Sequence, residues 1–403
     1  HGAATPAAAL KAEGVAIVGG GPAGLAAAYH LGRWGYRVAV FEAQPRLGGL
    51  LRYGIPEYRL PRAVLDGEIE MALPPGVLIS TGCCVGADVT WEDLSAYDAV
   101  FLATGAALPL RLDVPGERAK GVGDGLQFLS EVNAGKRPEM GERVVVVGGG
   151  STAMDVARSA RRLGVPSVTV LALEEREVMP AAPEEVSQAL AEGVEILNGV
   201  GVSAISEEEG LVRGVVMAAA RLERLAGGGV SPVFSGDKPV LREADAVLLA
   251  IGQRPDLSAL PSGIGSDGGI VAVGTGGATS SERVFAGGDV ASSQRTVAHA
   301  IGAGARAARR IHAMLSGAVV TAFCEPPVWA TAVPGHTVGF AEINLDYFPR
   351  VGRAARRELP AGERVGSFAE ALAGLDEAAA RAETARCFTC GGCVRCDNCF
   401  IFC

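Results

Sequence analysis

The chain has 403 residues, of which 49% are hydrophobic and 20% charged, and its formal net charge is −9. This apolar content excludes a wholly disordered chain, and the length predicts two or three domains. No apolar stretch of membrane-spanning length lacks charges or turn residues, and no long basic run is present, so we expect no membrane span and no nucleic acid as a partner. The N-terminus lacks a basic region followed by an apolar run, which predicts no signal peptide and a cytoplasmic location.

Two units of the same design occur along the chain. Residues 15–18 form a short β-branched run that predicts a buried parallel strand; a glycine-rich turn and a helix follow, and 38–41 predict the next strand. Residues 143–147 open a second such unit, with its own glycine-rich turn, a helix and a strand at 168–171. The chain therefore contains two Rossmann-like βαβ units.

Later segments extend this duplication. Residues 98–105 and 245–252 are apolar strands that end in Thr-Gly and Ile-Gly, each downstream of its own glycine-rich turn. Residues 203–243 alternate apolar and polar runs with turns, which predicts an antiparallel meander. Residues 284–311 return to a strand and a helix, and a further helix is predicted at about 368–386.

The first glycine-rich turn has the features of a dinucleotide site. Gly19, Gly21 and Gly24 make GxGxxG between a strand and a helix: the first permits the turn, the second lets the backbone approach a pyrophosphate, and the third allows close packing. Glu42 ends the next strand, where an acid binds a ribose hydroxyl. The alternative is a βα turn that binds nothing. The candidate binding residues here are Gly19, Gly21, Pro22, Ala23, Gly24 and Glu42.

The second turn, Gly148-x-Gly150-x-x-Ala153, predicts a second nucleotide site. Its specificity depends on the end of the next strand. Arginine there would hold the 2′-phosphate of NADPH, whereas Glu174 and the glutamate after it would repel that phosphate and accept from a 2′-hydroxyl. This favours NADH. The alternatives are a solvated acidic turn and, because of Arg176, NADPH.

Gly288 and Asp289 follow the strand predicted at the start of 284–311, and a helix rich in Ala and Gly begins nearby. An aspartate at such a turn can accept from a ribityl hydroxyl, and the helix N-terminus near Thr296 can point its dipole at a flavin ring. The alternative is a helix-capping aspartate.

These motifs together carry a family resemblance. Six segments occur in this order along the chain: VAIVGGGPAGLAAAYHL, GGLLRYGIPEYRLPR, VVVVGGGSTAMDVAR, REVMPAAPEEV, AIGQRPD and VFAGGDVASSQRTVAHAIGAG. Over about residues 14–315 the chain resembles the small subunit of glutamate synthase and its relatives, including the reductase domains of dihydropyrimidine dehydrogenase. The resemblance implies an α/β fold with an FAD-binding domain (14–115 and 258–318) and an NAD(P)-binding domain (116–257) inserted into it.

The resemblance also implies where each cofactor lies. The residues already named at the first turn would hold the adenosine and pyrophosphate of FAD, and those at 288–296 would close over its ribityl chain and ring. Residues implied near the flavin are Gly49, Leu50, Gly54 and Ile55. Residues implied at the nicotinamide nucleotide are Gly148, Gly150, Ser151, Thr152, Asp155 and Glu174. Thr104, Gly105 and Gly252, at the ends of the two later strands, are further candidates for cofactor binding.

Three features depart from that family's pattern. Ser151 stands where the family usually has Asn, and Leu173 and Glu174 stand where an Arg pair usually holds NADPH, which strengthens the expectation of NADH. The family's cluster-binding cysteines usually precede the FAD domain, and none precedes Gly19.

Cysteines are instead concentrated in residues 387–403. The last four make CxxCxxCxxxC, the bacterial ferredoxin run, so one [4Fe–4S] cluster held by any four is the simplest interpretation. A zinc site or an unmetallated docking segment are the alternatives. The candidate ligands are Cys387, Cys390, Cys393, Cys396, Cys399 and Cys403. Cys83, Cys84 and Cys324 are interpreted as packing residues. Neither CxxC nor CxxxxC comes just after the first FAD motif, which predicts against a dithiol–disulfide reductase.

Residues 319–403 carry a second resemblance, to the C-terminal tail of flavin subunits in multisubunit iron–sulfur oxidoreductases of the phenylglyoxylate dehydrogenase and tungsten aldehyde oxidoreductase types, which use NAD. It implies an extension that docks to an iron–sulfur protein or a catalytic oxidoreductase subunit. The leading hypothesis is an FAD-containing electron-transfer subunit that exchanges hydride with NAD(H) and single electrons with iron–sulfur clusters. No catalytic side chain is predicted. The alternatives are an FAD-binding docking subunit without nicotinamide chemistry and a stand-alone NAD(P)H oxidoreductase.

Overall fold

A computed structural model describes residues 10–224, 230–236, 238–258, 260–261, 263–317 and 351–386. The described residues up to Gly317 form one compact unit together with 361–369. The described residues 351–360 and 370–386 belong to a second, smaller unit.

Eighteen strands and ten α-helices lie in these ranges. The strands are β1 (Gly14–Val18), β2 (Arg37–Glu42), β3 (Leu78–Thr81), β4 (Ala99–Leu102), β5 (Leu108–Pro109), β6 (Val122–Asp124), β7 (Arg143–Val147), β8 (Ser167–Leu171), β9 (Glu195–Leu197), β10 (Val200–Glu208), β11 (Leu211–Arg224), β12 (Val230–Phe234), β13 (Val240–Glu243), β14 (Ala246–Leu249), β15 (Gln253–Arg254), β16 (Ser266–Asp267), β17 (Ile270–Val271) and β18 (Val284–Ala286). The helices are α1 (Pro22–Arg33), α2 (Leu50–Tyr53), α3 (Arg62–Ala72), α4 (Trp91–Leu94), α5 (Gly125–Asn133), α6 (Ser151–Arg162), α7 (Pro183–Ala191), α8 (Val297–Ser316), α9 (Ala361–Arg364) and α10 (Glu377–Ala385). Among the helices described, none combines the length and the apolar character that crossing a bilayer requires.

The first sheet is parallel and has the strand order β18–β4–β1–β2–β3. Its central strand β1 is wholly buried, as its run of β-branched and small residues predicts for a parallel strand covered on both faces. Helices α1 and α8 pack on each other beside this sheet, and the fully buried Leu31 and Ile311 contribute to their shared core. A Cβ added at Gly304 in α8 would lie 2.1 Å from the carbonyl oxygen of Ala23. The small residues of α8 therefore permit the two backbones to approach closely.

The second sheet repeats the first. It is parallel with the order β6–β14–β7–β8–β9, and α6 follows β7 as α1 follows β1. All of its strands fall between β4 and β18 in sequence, so this domain is inserted into the first. The predicted α/β fold with two Rossmann-like domains is confirmed.

The antiparallel meander predicted at 203–243 is also present. Strands β10, β11 and β12 pair in order, and β13 pairs with β11. Its apolar side chains Val202, Ile205 and Val215 pack with Val145 and Val247 of the second sheet. The meander therefore belongs to the inserted domain.

In the smaller unit, α10 begins after Asp376, whose carboxylate accepts from the backbone N–H of Ala379 at 2.8 Å. The helix predicted at about 368–386 is therefore wrong for its first half. Gly374 and the capping Asp376 explain the difference, since glycine disfavours a helix interior and an N-cap residue lies outside the helix.

Candidate functional site

The first glycine-rich turn has the tight geometry that its sequence predicts. Gly19 has a φ of +108°, and a Cβ there would lie 2.3 Å from the carbonyl oxygen of Ala103. A Cβ at Gly24 would lie 1.9 Å from the carbonyl oxygen of Gly19. No side chain caps the N-terminus of α1, so its first N–H groups point out of the turn with Pro22 at the helix start.

Gly21 and Gly49 form a cradle over this turn. A Cβ added at Gly21 would meet only the Cα of Gly49, at 3.8 Å, whereas a Cβ at Gly49 would lie 2.9 Å from the Cα of Gly21. Gly48 donates its backbone N–H to the carbonyl oxygen of Gly20 at 2.8 Å, which holds the two segments together. The space above Gly21 thus contains no side chain and adjoins a helix N-terminus, an arrangement that fits the pyrophosphate of a dinucleotide.

Glu42 is buried beside this cradle. Its carboxylate accepts from the backbone N–H of Gly20 at 2.7 Å and from that of Gln44 at 2.8 Å. These bonds fix the carboxylate at the end of β2, and each oxygen has a second lone pair for a ribose hydroxyl.

The turn at Asp289 lies against the same cradle. Gly288 has a φ of +76°, and a Cβ there would lie 3.0 Å from the Cβ of Ala23 in α1. Burial raises the pKa of Asp289, while Arg295 and His299 oppose that shift. Thr296 caps α8 by accepting from the N–H of His299 at 3.2 Å. The structure therefore brings the predicted ribityl-binding turn to the first glycine-rich turn.

The residues predicted near the flavin surround α2. Leu50 is exposed and begins the helix, and Gly54 ends it with its N–H bonded to the carbonyl oxygen of Leu50 at 2.9 Å. The N–H of Ile55 bonds to the same oxygen at 3.0 Å. This helix continues directly from Gly49 of the cradle, and Gly54 and Ile55 lie at its other end.

The second glycine-rich turn repeats the first. Gly148 has a φ of +139°, and a Cβ there would lie 2.4 Å from the carbonyl oxygen of Ala250. A Cβ at Gly150 would meet nothing within 4 Å, and no side chain caps α6. Ser151 and Thr152 form the first turn of that helix. This turn is therefore open at Gly150, beside a helix N-terminus of the kind that binds phosphate groups.

Glu174 lies over the second turn. A Cβ added at Gly149 would be 2.4 Å from its Oε2, as a Cβ at Gly20 would be 3.1 Å from Oε2 of Glu42. The side-chain amide of Asn198 donates to the carbonyl oxygen of Glu174 at 2.9 Å and fixes this segment. Although Glu174 follows the end of β8 by three residues, its carboxylate occupies the position equivalent to that of Glu42.

The two strand-end segments meet each other. Thr104 and Gly105 follow β4, and Gly252 follows β14; the short strands β5 and β15 that come after them pair antiparallel. Leu110 donates its N–H to the carbonyl oxygen of Gly252 at 3.0 Å. This pairing links the two domains where their parallel strands end, which is where doubly wound sheets bind ligands.

Asp155, another predicted site residue, is buried and pairs with a residue of the first domain. It is 4% exposed, and its carboxylate accepts from Arg59 at 2.6 Å. Burial raises the pKa of Asp155 to about 7, while the Arg59 guanidinium opposes that shift. Its predicted role at the nicotinamide nucleotide stays a prediction. Sequence reasoning missed Arg59, whose only signal was its place in the segment GIPEYRLPR.

The cysteines give two outcomes. Cys83 is half-buried and Cys84 is exposed, so the interpretation of Cys84 as a packing residue is wrong. The six predicted cluster ligands and Cys324 lie outside the described residues. Within the ranges that the structure covers, no group of three or more His, Cys, Asp or Glu is arranged to hold a metal ion.

Each of the two Rossmann-like domains has a tight glycine turn and an open space at a helix N-terminus. In each, a carboxylate lies over the second glycine of the turn, Gly20 or Gly149. Together these features define a two-nucleotide oxidoreductase fold. The chain belongs to the pyridine nucleotide-disulphide oxidoreductase family, whose signature matches residues 13–307.

Within this family the chain is similar to several individual proteins. The chain is 41% identical over 386 residues to the NADP(+)-dependent formate dehydrogenase subunit beta of Moorella thermoacetica, covering 93% of this chain and 54% of that one. It is 34% identical over 358 residues to the glutamate synthase [NADPH] small chain of Mycobacterium tuberculosis, covering 81% and 71%. The predicted resemblance to the glutamate synthase small subunit is confirmed.

Solved structures support the fold. The structure of M. tuberculosis FprA in complex with NADPH matches with a TM-score of 0.65 at 20% identity, covering 80% of this chain and 89% of that one. At this identity the match establishes the architecture alone. The chain spans 54% of the formate dehydrogenase subunit and 62% of the NADPH-Fe(3+) oxidoreductase subunit beta of Geobacter sulfurreducens, so it corresponds to part of these relatives.

Proposed function

We propose that this chain is an FAD-containing electron-transfer subunit that exchanges a hydride with a nicotinamide nucleotide and single electrons with an iron–sulfur partner. The observation that carries the proposal is the pair of glycine turns that are open at Gly21 and Gly150. Glu42 lies over Gly20 in the first turn, and Glu174 lies over Gly149 in the second. Family membership supports the oxidoreductase chemistry. FAD, when bound, would supply a ring that accepts two electrons as hydride and releases them singly.

The residues of each domain have binding roles in this proposal. Residues 14–115 and 258–318 would bind FAD, with the N-terminus of α1 facing the pyrophosphate and Glu42 accepting from the ribose. Asp289 would accept from the ribityl chain, and the α8 N-terminus beyond it would favour negative charge on the ring. Residues 116–257 would bind the nicotinamide nucleotide at α6. No acid or base role is assigned to a side chain, because hydride transfer between a nicotinamide and a flavin would require none.

The experiment that tests this function is an anaerobic titration of the FAD-loaded protein with NADH and, separately, NADPH, following the flavin absorbance. Bleaching by either nucleotide, followed by reoxidation with an iron–sulfur protein, supports the proposal. No bleaching by either would favour an FAD-binding docking subunit. Turnover of a small molecule in the absence of any partner would instead favour a stand-alone oxidoreductase.

We further propose that the second site prefers NADH, although the formate dehydrogenase relative is named as NADP-dependent. The carboxylate of Glu174 lies over Gly149, where it would accept from a ribose 2′-hydroxyl and would repel a 2′-phosphate. Leu173, beside it, offers no cation.

Replacing Glu174 by alanine should therefore change the nucleotide preference. The ratio of kcat/KM for NADPH to that for NADH should rise about tenfold, equivalent to ~1.4 kcal/mol, because one repulsive charge is removed and one hydroxyl acceptor is lost. Steady-state flavin reduction with both nucleotides measures this ratio.

The matched control for that variant is Glu175→Ala, since Glu175 is an adjacent, exposed carboxylate on the same turn. It should leave the ratio within about twofold, because exposed charges interact weakly through water. Equal ratios in both variants would place the ribose pocket elsewhere.

We propose that the extension 319–403 docks to the iron–sulfur partner and that its cysteines hold one [4Fe–4S] cluster. After anaerobic reconstitution, metal and sulfide analysis should give about four irons and four sulfides per chain. The triple substitution Cys390→Ser, Cys393→Ser and Cys396→Ser should abolish them, whereas Cys84→Ser should not. Zinc in place of iron would identify a structural zinc site, and no metal would identify a docking segment.

A further inference from the structure

Arg59 joins the loop after α2 to the helix that carries the second glycine turn. Its Nη1 donates to the carboxylate of Asp155 on α6 at 2.6 Å, and its Nη2 donates to Glu185 on α7. The Arg59 side chain is 31% exposed, whereas both carboxylates are buried. One guanidinium of the first domain thus spans two helices of the inserted domain.

Tyr58, next to Arg59, extends this contact along α6. It is 1% exposed, and its ring centroid lies 4.8 Å from the guanidinium of Arg158 and 3.9 Å from that of Arg162. Both arginines donate to Glu192 at 2.8 Å, and these three side chains are 0% exposed. Buried charges persist only when paired, so this arrangement fixes the ring against α6.

The segment 361–369 closes the same cluster from another side. Arg162 donates through Nη1 to the carbonyl oxygen of Ser367 at 2.7 Å, and Nη1 of Arg364 lies 3.5 Å from Glu192. Arg364 is itself buried. This cover keeps water from the cluster and thereby strengthens the charge interactions within it.

A second contact holds the other end of the loop. The side-chain amide of Asn133, at the end of α5, donates to the carbonyl oxygens of Tyr53 at 3.0 Å and Ile55 at 3.2 Å. The loop 54–59 is therefore fastened to the inserted domain at both ends. It continues directly from α2 and from the cradle glycine Gly49.

We infer that Arg59 and Asp155 are positioning residues that set the distance between the two nucleotide sites for hydride transfer. Asp155 lies one turn beyond Gly150 on α6, and Arg59 lies on the segment that begins at the FAD cradle. Hydride transfer requires the reacting atoms to be about 3–3.5 Å apart, so a small rotation between the domains would slow it severely. This inference rests on the proposed function. It adds a role for Arg59, and it gives the buried, paired Asp155 a positioning role in place of the nucleotide contact that the family resemblance implies.

The test compares Arg59→Met, Arg59→Lys and Asp155→Asn with the wild-type protein, loaded with FAD. The assays are run at about pH 8, because burial raises the pKa of Asp155 to about 7 and the carboxylate must be ionised. Stopped-flow mixing with NADH, or with NADPH if that is the nucleotide the wild type uses, gives the rate constant for flavin reduction and the nucleotide Kd. Hydrogen exchange measured by mass spectrometry gives the protection of each peptide.

The matched control is Arg143→Lys. Arg143 also pairs with two carboxylates, Glu243 and Asp245, but all three lie within the inserted domain and its side chain is 44% exposed. It should leave the reduction rate constant within about twofold, since exposed pairs contribute little and this one spans no domain boundary.

The expected result is a split between binding and chemistry. Arg59→Met and Asp155→Asn should keep full FAD content and a nucleotide Kd within about threefold, while the reduction rate constant falls at least about tenfold. Arg59→Lys should recover part of that rate, since lysine keeps the positive charge but lacks the planar guanidinium that donates to both carboxylates. Exchange should become faster only in peptides covering the segments that Arg59 joins, namely 54–60, 151–162 and 183–191.

Three results would overturn the inference. The first is an unchanged reduction rate in Arg59→Met and Asp155→Asn. If hydrogen exchange is nevertheless faster near these residues, their contact stabilises the fold and has no role in hydride transfer. The second is a rate loss that comes entirely from a raised Kd. The third is faster exchange throughout the chain, with FAD loss, in every variant including the milder Arg59→Lys. These three results would leave the proposed function intact. The proposed function itself would be refuted if neither nucleotide reduced the flavin of the wild-type protein.

Discussion

Replacing Gly21 by valine should give a folded chain that does not bind FAD. The added side chain has room in the polypeptide, because a Cβ at Gly21 meets only the Cα of Gly49, at 3.8 Å, and the backbone there is extended with a φ of −79°. It would, however, fill the space through which the backbone approaches a pyrophosphate. Flavin per chain, measured by absorbance after denaturation, should fall to below about a tenth of the wild-type value.

The control for this variant is Gly67→Val. Gly67 lies within α3, and a Cβ there also meets nothing within 4 Å, but no nucleotide-binding role is proposed for that helix. It should bind FAD as the wild type does. Gly21→Val with full flavin content and normal flavin reduction would contradict the proposed FAD site, and a circular dichroism spectrum identical to wild type would confirm that loss of FAD is not loss of fold.

Replacing Gly150 by valine should have the complementary effect. A Cβ at Gly150 meets nothing within 4 Å, and the residue is extended with a φ of −92°, so the chain should fold and retain FAD. The valine side chain would occupy the space at the N-terminus of α6, where the nicotinamide nucleotide pyrophosphate is proposed to bind. Flavin reduction by either nucleotide, at a fixed subsaturating concentration, should slow by about a hundredfold or more.

Dithionite distinguishes the possible causes of that loss. It reduces flavin without a nucleotide site, so Gly150→Val should be bleached by dithionite as fast as the wild type. Rapid bleaching of this variant by NADH would show that the second turn is a retained fold element rather than a working site. Together, the two glycine variants separate the proposed FAD site from the proposed nicotinamide site within one chain.

The equivalence of the two sites is structural as well as sequential. Glu42 and Glu174 reach the middle glycines Gly20 and Gly149 from strands that end at different points, β2 at Glu42 and β8 at Leu171. From the sequence, both Glu174 and the glutamate after it were candidates for the second acid. In the structure it is the carboxylate of Glu174 that lies over Gly149, because the segment after β8 passes over that glycine.

Several features were predictable from sequence because their causes are local. The tight turns at Gly19 and Gly148 require positive φ and adjacent backbone, and both conditions are encoded within a few residues. The parallel strands were predictable because a strand covered on both faces is apolar throughout, as in β1. The insertion of one domain in the other was predicted from motif order through the family resemblance.

The sequence by itself therefore determined the two glycine turns, the sheets that carry them and the acid at Glu42. Only the tertiary structure decided that Arg59 meets Asp155, 96 residues away, and that Arg162 meets Ser367, 205 residues away. It also decided that residues 361–369 pack with the larger unit. The physical reason is that turn and strand geometry follow from short-range sterics and periodicity, whereas a buried charge is stabilised by whichever partner the folded chain brings to it, and nothing in its neighbouring sequence specifies that partner.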